Sequence, residues 1–192
     1  MPEPIETFYP ESIAEWRAWL QENHLSKQAV WLVCYRIKSG KKSIRWSESV
    51  DVALCFGWID SKKVKIDDER SHQFFSKRRP KSNWSKINKD KVEQLIAQGL
   101  MSEAGFASIE TAKQNGSWTI LDEVEAVVVP DDLIAKLDQK PAAKVYFDGL
   151  SKSAKKSILY WLMSAKRPET RQKRLLEVVE RAEQGLKPKH IP

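Results

Sequence analysis

The ten residues from Lys77 to Lys86, KRRPKSNWSK, gather anion-binding chemistry more densely than the rest of the 192-residue chain. Arg78 and Arg79 carry planar, fork-shaped donors, and Lys81 adds a compact positive charge. Ser82, Asn83 and Ser85 can donate at close range. A helix opening here would aim its free N–H groups at the same spot, an arrangement that favours phosphate or carboxylate. Trp84 either stacks on a base or fills the core. The competing reading is a solvated basic loop anchored by Trp84.

A second group is Gly57 to Lys63, GWIDSKK, in which Asp60 lies between Trp58 and the lysines Lys62 and Lys63. Its carboxylate can accept from Arg78 or Arg79 across a hairpin, or act as a general acid or base if desolvated. A structural ion pair is the plainer alternative. A third group is Ala165 to Arg171, AKRPETR, where Lys166, Arg167 and Arg171 meet at a junction between helices, with Lys173 and Arg174 just beyond. Pro168 suits the first helical position, and Glu169 suits the first turn. These cations either complete an anion pocket or form ion pairs with Glu177 or Glu180.

No catalytic residue is assigned. The chain lacks a phosphate-binding glycine loop, a dinucleotide fingerprint, a nucleophile elbow, RNA-binding aromatic motifs and zinc-finger spacing. Cys34 and Cys55 sit in apolar runs and are expected as buried free thiols. His24, His72 and His190 have no ligand spacing, so neither a metal nor a cofactor is expected.

These groups need elements to hold them. Ser12 with Glu15 forms a capping-box pattern for a helix running to about His24. Ala29–Ile37 reads as a strand, and Ser47 is expected to cap a short helix ending at Gly57. Trp58–Ile66 and Ser71–Ser76 read as a hairpin around Asp67–Arg70. Asn88 is expected to cap a helix to Gln98, and a further helix covers Ser102–Asn115. Residues 117–129 leave loop and irregular strand open. Short helices follow Pro130 and Pro141, then come longer ones over Ser151–Ala165 and Glu169–Gln184, with a frayed tail from Lys187 to Pro192. The expected fold is α+β, its N-terminal half a small antiparallel sheet with helices and its C-terminal half all-helical. The expected division is residues 1–115 and 116–192, either as two lobes or one compact domain.

Net charge is +7, distributed as +4 over residues 1–115, −4 over 116–150 and +7 over 151–192. A basic balance suits an anionic small molecule, nucleic acid or an acidic protein surface. The opening stretch has neither a basic start nor an apolar run, so no secretory signal is expected, and no segment is apolar enough to span a membrane. The cytoplasm is the expected location.

Four stretches resemble the YdeI/OmpD-associated, bacteriocin-protection family. They are Ala53–Asp60, Phe75 with Arg78–Asn88, Gly99–Met101 and Ala165–Arg171, in the family's order. The resemblance runs from about residue 10 to 187. It implies a role in bacterial resistance to cationic antimicrobial peptides or bacteriocins, with association to an envelope porin, and it transfers no catalytic residue. The leading expectation is a non-catalytic binding protein in which Trp58, Asp60, Arg78, Arg79, Lys81 and Trp84 line a cleft. The rivals are an enzyme of unrecognised type using Asp60 on an anionic substrate, a nucleic-acid-binding protein, and an adaptor using the C-terminal basic helices.

Overall fold

The computed structural model describes residues 4–191, and the chain divides into two compact units, one ending at Ile120 and one beginning at Leu121. In the first, Thr7–Phe8 (β1), Ala29–Tyr35 (β2), Trp58–Lys65 (β3) and Arg70–Lys77 (β4) form a sheet in the order β1-β2-β4-β3. β2, β4 and β3 pair antiparallel, as expected, and the two-residue β1 adds a parallel edge on β2. Around the sheet lie α1 (Ile13–Asn23), α2 (Trp46–Cys55), α3 (Lys86–Ala97) and α4 (Glu103–Gln114).

Local signals account for most boundaries. Ser12 Oγ accepts from Glu15 N at 3.3 Å, while the Glu15 carboxylate reaches back to Glu11 N at 3.0 Å. Two orphan donors are thereby satisfied, worth about 1 kcal/mol for such a cap. Ser102 caps α4 in the same way, through Gly105 N. Two caps differ from expectation. α2 opens at Trp46 rather than after Ser47, because Glu48 Oε2 accepts from Arg45 N at 2.9 Å. α3 is capped by Ser85, not Asn88, whose N–H is instead the donor to Ser85 Oγ at 3.3 Å.

One face of the sheet is sealed by indoles. Trp16 and Trp19 stack with centroids 5.3 Å apart, Trp16 lies 5.4 Å from Phe75, and Trp19 meets Trp58 edge-on at 5.9 Å. A buried indole N–H needs an acceptor, and Trp16 and Trp58 find Ser49 O at 3.0 Å and His24 O at 3.4 Å. Trp84 joins this core. Cys34 and Cys55 are free thiols, both pushed up by burial. α4 docks on the end of α2, where Ser102 N and Oγ both donate to Cys55 O. Contact is so close that a Cβ on Gly105 would sit 2.3 Å from that carbonyl oxygen.

In the second unit, residues 117–129, which open in the first, are neither strand nor plain loop: turns lead into α5 (Asp122–Glu125). Val127 then takes φ 58°, an uncommon conformation for a β-branched residue, as Val128 N reaches back to Glu123 O at 2.8 Å. α6 (Asp131–Asp138), α7 (Pro141–Asp148), α8 (Lys152–Met163) and α9 (Pro168–Glu183) pack around Leu133, Phe147, Ile158, Leu162, Leu175 and Val178. The tail expected to fray is held. Arg181 Nε donates to Lys187 O at 2.6 Å, and Lys189 N donates to Glu177 at 3.0 Å. His190 lies against Trp161, with ring centroids 3.7 Å apart. Among the described residues no helix is long and apolar enough to cross a membrane.

Candidate functional site

Arg78 continues directly from β4, its N–H donating to Gly57 O at 2.9 Å. The guanidinium carbon lies over the Trp84 ring, 3.7 Å from its centroid. Nη1 donates to Ser82 Oγ at 3.1 Å and Asn83 O at 2.9 Å, while Nε is buried without a partner among the described residues. Burial pushes the Arg78 pKa down to about 10, opposed by the charge of Asp60. Trp84 is 1% exposed and therefore offers no face to a ligand. It is a core residue with an arginine on its outer side.

The other expected site residues of the first unit disperse. Trp58 is fully buried, and Ser85 is occupied as a helix cap. Asp60 does not accept from Arg78 or Arg79. Its Oδ2 takes Trp46 Nε1 at 2.9 Å and Gln73 Nε2 at 3.3 Å. Lys62 lies over the rings of Trp31 at 5.1 Å and Phe74 at 5.4 Å. Arg79 and Lys81 are exposed, and Ser82 Oγ donates to Arg79 O at 2.8 Å, closing the loop on itself. Beside Arg78 lies a cleft of about 360 Å³ reached by His24, Gly57, Lys77 and Thr111. Lys77 Nζ is tied to Leu25 O there.

In the second unit Arg171 is locked into a carboxylate. Nε and Nη2 donate to Asp132 at 2.6 and 2.9 Å, and Nη1 donates to Leu162 O at 3.2 Å. The guanidinium holds the Asp132 carboxyl below the usual range. The expected partners Glu177 and Glu180 are not used by Arg171. Arg174 bonds Trp161 O and Ser164 Oγ. Lys166 and Arg167 are exposed. This junction is a helix turn held by internal pairing.

A roomier cleft, of about 1040 Å³, is lined by none of the site residues expected from the sequence. One wall is the loop from Arg36 to Arg45 with Trp46 at the start of α2, and the floor and far wall are Cys34, Ser71, Gln73, Lys63 and Lys65. Eight lysine and arginine residues line it, and no aspartate or glutamate does. Lys41, Lys65 and Arg70 are paired with Glu69, Asp68 and Asp67. Arg36, Lys38, Lys42, Arg45 and Lys63 have no carboxylate partner among the described residues. The loop is pinned by Tyr9 Oη donating to Lys42 O at 2.5 Å and Tyr35 N donating to Ser43 Oγ at 3.0 Å.

A β-bulge aims the lysines. Asp60 pairs with Phe75 and Lys63 with Gln73, so Ser61 and Lys62 together face Phe74 alone. The extra residue shifts the side-chain alternation by one. Lys63 and Lys65 therefore share the cleft face with Asp60, whereas Lys62 goes to the opposite face with Trp31 and Phe74. One signal for this cleft was present in the sequence: no acidic residue occurs between Glu22 and Glu48.

Residues 8–108, more than half of the chain, match the sequence family described as Domain of unknown function (DUF8412). Residues 126–185 match the family described as Bacteriocin-protection, YdeI or OmpD-Associated. Of the four stretches that suggested the latter, Ala165–Arg171 lies inside its match and the other three inside the first. No curated protein and no solved structure matches the chain.

Proposed function

The chain belongs to the family described as Domain of unknown function (DUF8412), and its residues 126–185 match the Bacteriocin-protection, YdeI or OmpD-Associated family; from that premise we propose that it is a non-catalytic binding protein for an anionic partner, held in the cleft between the Arg36–Arg45 loop and the β3–β4 hairpin. The observation that carries this reading is the one-signed lining. Like charges kept within one concave surface repel one another, and a cleft with low-dielectric walls concentrates their field on whatever enters. An anionic occupant relieves that repulsion. Arg78 and Trp84 then brace the adjoining loop and do not bind.

The same charge argues against direct capture of a cationic peptide, so a part in bacteriocin or antimicrobial-peptide resistance would run through an acidic or phosphate-bearing partner. Asp60, occupied by Trp46 and Gln73, serves in this reading as a structural acceptor rather than a general base.

The test is a fluorescence-anisotropy titration at 50 mM salt with labelled single-stranded and double-stranded DNA and a labelled acidic peptide. The expected result is saturable binding of at least one of them, weakened tenfold or more when Lys42, Arg45 and Lys63 are together changed to glutamine. Absence of binding to all three, or a triple variant indistinguishable from the native chain, would overturn the proposal.

A further inference from the structure

Trp46 alone among the described tryptophans is exposed, at 56%, and it lines the basic cleft. Leaving an indole in water forfeits the burial that Trp16, Trp58 and Trp84 obtain. Its orientation is nevertheless fixed. Nε1 donates to Asp60 Oδ2, and the same oxygen accepts from Gln73 Nε2, whose other contact is Lys62 O at 3.3 Å. The bulge that turns Lys63 into the cleft also keeps Asp60 on that face beside it.

Since the indole N–H is already bonded, the ring has only its π face left to offer. A π face held rigidly beside unpaired cations suits a ligand that is flat and aromatic at one point and anionic at the next. A nucleotide unit in single-stranded form has those properties: an unstacked base for Trp46, and phosphates for Lys42, Arg45 and Lys63. An acidic peptide would use the cations and leave the indole idle, and a duplex keeps its bases stacked on one another.

We propose that this cleft binds a base-plus-phosphate unit of single-stranded nucleic acid or of a free nucleotide, with Trp46 as the stacking platform and Asp60 as the residue that positions it. The proposal rests on the anion-binding reading of the cleft and adds the chemical class of the ligand. Asp60 touches no ligand in this scheme; it acts through the indole.

The experiment compares oligothymidylate with an abasic strand of equal length and charge, together with thymidine monophosphate and inorganic polyphosphate, by isothermal titration of the full chain. The native chain should bind oligothymidylate about tenfold or more tightly than the abasic strand, the range expected for one stacked base. Trp46→Ala should abolish that ratio while leaving abasic binding unchanged, and Trp46→Phe should keep most of it. Asp60→Ala removes a negative charge and so strengthens both strands, but the ratio between them should fall. A purely electrostatic role for Asp60 would leave the ratio unmoved. Thymidine monophosphate binding that is lost in Trp46→Ala supports the proposal and identifies a free nucleotide as a sufficient ligand.

Equal affinity for thymidylate, abasic strand and polyphosphate in the native chain overturns the stacking proposal yet leaves the anionic cleft standing. Absence of all binding removes both. The native-chain comparison needs no variant, so a folding defect in Trp46→Ala does not shield the proposal.

Discussion

Replacing Arg78 by lysine and, separately, by methionine tests whether its charge is desolvated and held by shape. The depression of the Arg78 pKa to about 10 corresponds to roughly 3 kcal/mol spent on keeping the charge there. Against this stand a guanidinium stacked 3.7 Å above Trp84, worth about 2 kcal/mol when desolvated. Two hydrogen bonds from the charged fork, to Ser82 and Asn83, are worth about 1.5 kcal/mol each. The favourable side wins by about 2 kcal/mol. Methionine discards both sides of this balance, so Arg78→Met should lose about 2 kcal/mol. Lysine keeps the desolvated charge but has neither a planar face nor a fork, so Arg78→Lys should lose about 3 kcal/mol or more. Urea unfolding at pH 7, followed by tryptophan emission, measures both. Arg78→Lys as stable as Arg78→Met, or more so, would refute the reasoning, since charge burial would then carry no cost.

Four other outcomes are expected. If the five unpaired cleft cations all meet phosphates of a single strand, log K should fall against log salt with a slope near −3.5, a loss of about 100-fold from 50 to 200 mM; anisotropy titrations at four salt concentrations read the slope. Single glutamine substitutions at Lys42 or Lys63 should each reduce that slope by about 0.7. Gly105→Ala should destabilise by about 2–3 kcal/mol through overpacking, because the added methyl would meet the Cys55 carbonyl at 2.3 Å and Met101 Cε at 2.7 Å; thermal melts of the two proteins give the difference. Asp132 is held below its ordinary pKa by Arg171. Its contribution is therefore complete above the unfolded carboxylate pKa and disappears as pH falls through the folded one. Asp132→Asn should lose about 1 kcal/mol at pH 7, the pair being partly exposed and screened, and should flatten the acid limb of melts taken between pH 5 and pH 2.

The elements were legible where the signal was local. Ser12 with Glu15, Ser102 and Pro168 mark helix starts through contacts spanning three residues or a single ring, and they hold. The hairpin was legible because β3 and β4 are neighbours in sequence. β1 was missed because two residues cannot show alternation, and its pairing with Trp31 and Leu32 is parallel and remote. The boundary errors have one cause. Ser47 and Asn88 are good capping types, but the caps went to positions fixed by the Arg45–Glu48 and Ser85–Asn88 contacts.

The site was less legible. The density of arginine at 77–86 drew attention, yet Arg78 is absorbed by Trp84 and Arg171 by a carboxylate 39 residues earlier. The second pairing lies outside any local window, and within the first the sequence leaves open whether Trp84 faces a ligand or the core. The cleft depends on a loop folding back over a hairpin and on a bulge, and neither leaves a spacing pattern.

That bulge lets Asp60 and Lys63, an odd number of residues apart, share one face of β3. Deleting Ser61 alone would leave Lys62 facing Phe74 by itself and keep Lys63 and Lys65 in the hollow, whereas regular pairing at the present length would put Lys62 there and turn Lys63 and Lys65 outward. In that unbulged register the hollow would keep one lysine from this strand in place of two, and the aromatic pair Trp31–Phe74 would lose the cation that covers it. Loss of the spare residue would therefore leave each face its own cations, while a slip of pairing by one residue would exchange them.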